Sequence, residues 1–190
     1  MAGIEIHKEP DYGYRRSAPC DAVATALFVV GDPVALDTAQ LRHAVDDDTE
    51  IEDGECVGFA AEPATGITAA SRATNAADGF GVVENQDRTY WPVNAPGLQL
   101  RTRNFWGTGA PGTAVEPDAA NIGDDYQLVG LNGLLTYGLE ETASDNTTHI
   151  ACCVQDVLDA DMQPILRTGG TGVWVVFSVN AVSSQDVAGE

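Results

Sequence analysis

The sequence predicts an all-β protein, a β-barrel or β-sandwich with an extended N-terminal arm. Three observations predict it. Short apolar stretches recur between turn residues at about 8–12-residue intervals, the spacing of sandwiches and barrels. Several of them alternate with period two, Val173, Val175, Phe177 and Val179 most clearly. No stretch sustains a helical period, and no internal repeat is visible.

The elements follow in order. Residues 1–19 read as the arm, and residues 20–190 as a single β-rich domain. From Ala22 to Val30 the chain alternates with apolar residues on both faces, as a doubly buried strand does. Gly31-Asp32-Pro33 breaks it and Val34-Ala35-Leu36 resumes. Thr38 to Val45 fits a short helix capped by Asp37, or a strand with Leu41, His43 and Val45 on one face. Asp46-Asp47-Asp48 is a solvated turn, and Asp53-Gly54 turns the chain into Cys56–Ala61. Phe80–Val83 and Tyr90–Val93 are short and apolar. Leu98, Leu100 and Thr102 face one way, Gln99, Arg101 and Arg103 the other. Residues 107–124 form a long loop of Gly, Pro, Ala and Asp. Strands then follow at Tyr126–Leu131, Leu134–Leu139, His149–Val157 and Val173–Val182.

Charge is the strongest compositional signal. Nine basic residues face 29 acidic ones among 190, for a formal charge of −20. Lys8 is the single lysine. Carboxylates keep a surface hydrated in brine, and molar salt shrinks the Debye length to about 3 Å, which screens their repulsion. An ordinary acidic protein is the alternative, and the near-absence of lysine favours a salt-adapted source. The arm differs: it holds Lys8, Arg15 and Arg16 against Glu5, Glu9 and Asp11, and is neutral. Direct nucleic-acid binding calls for a basic footprint and is not expected. No apolar run reaches the roughly 18 residues of a membrane helix, so no membrane partner is expected. The first residues lack a signal-peptide pattern.

The sequence carries no catalytic or cofactor motif in the context that its chemistry requires. Gly107-Thr108-Gly109-Ala110-Pro111-Gly112 spells G-x-G-x-x-G, but the following Pro117 and small residues predict a flexible loop, not the helix that cradles a pyrophosphate. No G-x-S-x-G or H-E-x-x-H occurs, and His7, His43 and His149 read as structural or solvent-facing. Asp46–Asp48 and Asp124-Asp125 lack the spacing of a calcium loop. Cys20, Cys56, Cys152 and Cys153 lack C-x-x-C spacing and read as small apolar residues, with the adjacent pair on opposite strand faces. No metal and no cofactor is expected.

The candidate partner-binding residues are Tyr12, Tyr14, Arg15 and Arg16 in the arm, and Arg101, Arg103 and Phe105 on one strand face. Arginine and aromatic side chains concentrate at interface cores. Local neutralisation of nearby carboxylates is the competing explanation for the arginines.

Gly31-Asp32-Pro33-Val34-Ala35-Leu36, Gly54 and Val57-Gly58-Phe59-Ala60-Ala61-Glu62 resemble the opening of tailed-virus capsid cement, or head decoration, proteins. Asn121–Leu128 and Val173–Phe177 resemble the same group. The long 107–124 loop departs from it. The resemblance implies a β-tulip-like or barrel body and a non-enzymatic virion protein on the capsid surface, assembled in the host cytoplasm. It implies the major capsid protein as partner and a homo-oligomer, trimer or dimer. With the composition, it implies a virus of a haloarchaeon or another halophilic host. A tail-tube, connector or neck component is the alternative within the structural class. A small β-fold enzyme or carbohydrate-binding module, stacking sugars on Trp91, Trp106 or Trp174, is the alternative outside it.

Overall fold

The computed structural model describes residues 3–10, 12–20, 28–37, 39–44, 56–64, 87–131, 136–143, 150–166 and 169–180. Their regular structure is all β, apart from two single 3-10 turns at Tyr12–Tyr14 and Ala119–Asn121. The strands are β1 (Ile4–Lys8), β2 (Arg16–Pro19), β3 (Pro33–Asp37), β4 (Gln40–His43), β5 (Gly58–Ala60) and β6 (Asp87–Pro92). The rest are β7 (Gln99–Thr102), β8 (Phe105–Trp106), β9 (Asp125–Leu131), β10 (Thr136–Ala143), β11 (Ala151–Leu158) and β12 (Trp174–Val179).

They form a seven-stranded sheet, β1-β7-β12-β11-β9-β10-β8, and a five-stranded sheet, β2-β6-β5-β3-β4. Every pairing is antiparallel except β10 with β8. The inner faces share one core. Ala35, Phe59 and Trp91 come from the small sheet; Leu100, Leu128, Tyr137, Leu139, Val157, Val175 and Phe177 come from the large one. Burying one face of each sheet against the other is what makes the arrangement sandwich-like.

The small sheet buries its other face as well. Cys20, Phe28, Val34, Leu41, Ala60 and Ala64 form a second cluster there. Val34 and Ala35 are neighbours that point to opposite faces, and both are buried. This is why the sequence is apolar on both sides in this region. A single bridge from Cys20 to Leu41 brings the end of β2 against β4, so the sheet curls around this cluster.

The residues expected to form an arm supply one edge strand to each sheet. β1 pairs with β7 and buries Ile4, and β2 pairs with β6. The Tyr12–Tyr14 turn carries the chain from one sheet to the other.

The choice between helix and strand after Asp37 falls to strand. Asp37 pairs with Gln40, leaving a two-residue turn in which Ala39 adopts φ 66°. Such tight hairpins need left-handed backbone. Leu41 is fully buried and His43 half-buried, opposite Leu36 and Val34. Of the strand expected from Ala22, residues 21–27 lie outside the described residues, as do the Asp46–Asp48 turn and Phe80–Val83.

The 107–124 loop is a chain of hydrogen-bonded turns. Gly107 N–H donates to Thr113 O, Ala110 N–H to Gly107 O, and Thr113 N–H to Ala110 O. Asp118 then caps the short turn at Ala119–Asn121, its carboxylate accepting from Ala120 N–H. The cysteines are free; Cys20, Cys56 and Cys152 are buried, and Cys153 is half-buried on the opposite face from Cys152.

Candidate docking face

On β7, Leu100 and Thr102 point into the core, so Arg101 points out. On β12, Val175 and Phe177 point in, so Trp174 and Val176 point out. Val175 lies opposite Thr102 in the ladder, which sets Trp174 beside the chain that leaves β7 at Arg103. The Arg103 guanidinium carbon sits 4.2 Å from the Trp174 ring centroid, and that of Arg101 4.8 Å. Both distances are within cation–π range. Leu158, Val176 and Met162 complete a small apolar cluster beneath them.

Met162 is delivered by a tight turn. Asp159 Oδ1 accepts from the N–H groups of Asp161 and Gln163, and Met162 takes φ 64°. Its sulfur lies 3.8 Å from Arg101 Nη1. Glu5 faces Arg101 across the β1–β7 ladder, and its Oε2 accepts from Nε at 2.9 Å and pairs with Nη2 at 2.7 Å. Arg101 is therefore neutralised within the fold. Among the described residues, no carboxylate pairs with the exposed Arg103. Trp174 is only 5% exposed, and its buried indole N–H finds no acceptor among them either.

The arm residues form a second arginine–tryptophan contact. Arg15 lies 4.5 Å over the Trp91 ring and 3.5 Å from Glu9. Tyr14 and Arg16 are exposed. Arg16 faces Tyr90 in the β2–β6 ladder. Burial raises the Tyr90 hydroxyl above its ordinary range, and the Arg16 charge opposes that rise. Tyr12 begins the 3-10 turn, and its side chain lies outside the described residues.

Phe105 does not share the arginine face. It is in the core, edge-on to Tyr126 with ring centroids 5.4 Å apart. The alternation that placed it beside Arg103 is broken at Asn104. There the N–H donates to Thr102 Oγ1, the carbonyl accepts from Leu139 N–H, and the side-chain amide donates to Tyr137 O. These bonds turn the chain off β7 and onto β10, where β8 pairs in parallel.

The other sequence candidates fall as follows. Trp91, Trp106 and Trp174 are all buried, so none offers an open ring face to a sugar. In the glycine-rich loop, Gly109 N–H donates to the buried Glu140 carboxylate, and only the single 3-10 turn at Ala119–Asn121 follows before β9. An internal anion thus occupies the donor that a phosphate would need. His7 and His43 lie on edge strands of different sheets, and His149 lies outside the described residues. Among the described residues, no group of three His, Cys, Asp or Glu side chains could hold a metal. Asp124 accepts instead from the Tyr126 hydroxyl at 3.2 Å.

One buried acid was not singled out from the sequence. Asp32 is 2% exposed; its Oδ2 accepts from Val29 N–H at 2.9 Å, and its Oδ1 has no hydrogen-bond partner among the described residues. Burial raises its carboxyl from 3.8 to about 6, against the Val29 bond. Its charge, with that of Cys56, adds to the burial that raises the Tyr137 hydroxyl above its ordinary range. Met162 and Glu5 are not singled out by the sequence either, and Trp174 enters it only as a candidate sugar-stacking ring. A tryptophan at an outward position of the last strand was the one available signal. Compared with known proteins, the chain matches no family model, no curated protein and no solved structure.

Proposed function

We propose that this chain is a structural subunit that decorates and stabilises a viral capsid shell by bridging neighbouring capsid subunits. The resemblance of its opening and closing strands to capsid cement proteins supports this reading. The observation that carries it is the Arg101–Trp174–Arg103 face. A chain of charge −20 repels other acidic surfaces, and this fixed cationic spot gives it a preferred orientation of approach. Ordered arginine on an aromatic ring is also the kind of group that concentrates binding energy. The major capsid protein is the partner in this reading, and no cofactor is involved.

Undecorated shells, assembled from the major capsid protein of the same virus, provide the test. Mixed with the chain at molar salt and sedimented, they should carry it down to a fixed stoichiometry. A chain that stays in the supernatant at every salt concentration would remove the reading.

A further inference from the structure

We infer that Arg103, held against the Trp174 ring, receives a carboxylate from an acidic segment of the docking partner. This rests on the docking reading above and names the chemistry of its contact. Among the described residues, one cation of this face lacks a carboxylate. Arg101 is satisfied by Glu5, whose Oε2 takes two of its N–H groups. Asp156, opposite Val176 on the neighbouring strand, uses Oδ1 to accept from the N–H of Val157. Arg103 has no carboxylate among the described residues, and neither it nor the indole N–H of Trp174 is bonded there.

An arginine without an internal acceptor keeps its hydrogen-bonding capacity for an incoming anion. The Trp174 ring also holds the Arg103 guanidinium by its face. That leaves the N–H edge free to form the two parallel bonds that suit a carboxylate. Arg103 carries the contact because it is exposed, whereas Trp174 is buried and serves as the ring that positions it. Two considerations favour a carboxylate over a nucleic-acid phosphate. Among the described residues this face carries a single open fork instead of a basic stripe, and the net charge of −20 opposes a long polyanion.

The probe is a tetraglutamate peptide blocked at both ends, titrated into the full chain and followed by NMR at the Arg103 Nε–H and the Trp174 indole N–H. Both signals should shift saturably, and a tetraglutamine peptide should shift neither. Arg103→Gln should weaken the peptide about tenfold or more, the loss of one charged hydrogen-bonded pair. Trp174→Phe keeps a ring under Arg103 and removes only the buried indole donor, so it should change the affinity less than about twofold. A melting temperature matching the wild type confirms that each variant is folded. Absence of a saturable shift, equal shifts in Arg103→Gln, or an equal response to oligothymidylate would each overturn the inference. Shell binding separates the two proposals. If Arg103→Gln decorates shells as the wild type does, the carboxylate site fails and docking stands. If the peptide binds at Arg103 but the wild type ignores shells, the site stands and the shell reading fails.

Discussion

The backbone N–H of Gly109 donates to Oε1 of Glu140 at 2.5 Å, across 31 residues of chain. Glu140 is 4% exposed, and the neighbouring Thr108 hydroxyl donates to Glu141 O. The glycine-rich loop is therefore fastened to β10 by a charged acceptor. Glu140→Gln keeps an acceptor of the same shape but removes its charge. It should lower stability by about 1 kcal/mol, the difference between charge-assisted and neutral hydrogen bonds. Urea denaturation of the two proteins at neutral pH measures it.

Gly138 faces the bend that turns Phe105 inward. A Cβ at this position would overlap the carbonyl and side chain of Asn104. Gly138→Ala should cost roughly 1–3 kcal/mol by overpacking, because the obstacle is backbone and cannot rotate away. A denaturation midpoint equal to the wild type would show that the bend moves more easily than this.

Asp32 makes stability depend on pH. Its carboxyl rises from 3.8 to about 6 on folding because burial disfavours the charge. The folded state thus holds its proton more tightly than the unfolded chain. Its contribution favours folding below pH 3.8, weakens as pH rises, and levels off above about 6. The full cost is roughly 3 kcal/mol at about 1.36 kcal/mol per pH unit. Asp32→Asn cannot ionise but keeps an acceptor for Val29. It should gain on the wild type progressively between these limits in urea midpoints. A constant difference from pH 4 to pH 7.5 would contradict this account.

Burial pushes the Cys56 thiol up to about 12 and raises Cys152 well above its ordinary value. Cys153 is raised too, first by desolvation and then by Asp125, but it is only half-buried. Because the thiolate is the reactive form, iodoacetamide should modify Cys153 first. Cys20, Cys56 and Cys152 should react only at the rate of unfolding, which peptide mass mapping over time resolves.

The charge of −20 predicts a melting temperature that climbs with salt. The Debye length falls from about 10 Å at 0.1 M to about 3 Å at 1 M, so repulsion between exposed carboxylates fades over that range. A melting temperature unchanged from 0.1 M to 2 M would count against salt adaptation.

The sequence by itself determined the all-β class, because strand identity is written in neighbours. Period-two alternation at Leu98–Thr102 and Val175–Phe177 names the inward residues, and Arg101 and Arg103 were legible as outward for the same reason. Strand partners are not written locally. Glu5 meets Arg101 across 96 residues, and Trp174 meets Arg103 through a register that no local pattern specifies. Phe105 was misplaced because alternation continues on paper where hydrogen bonds at Asn104 end it in space. Asp32 sits in a Gly-Asp-Pro turn, where a solvated carboxylate is the local expectation; packing between the sheets buries it instead. Local sterics decide which residues form strands, while the energies of pairing, burial and charge depend on residues far apart in the chain. Tertiary structure alone therefore decided where the docking face lies and which of its donors remain open.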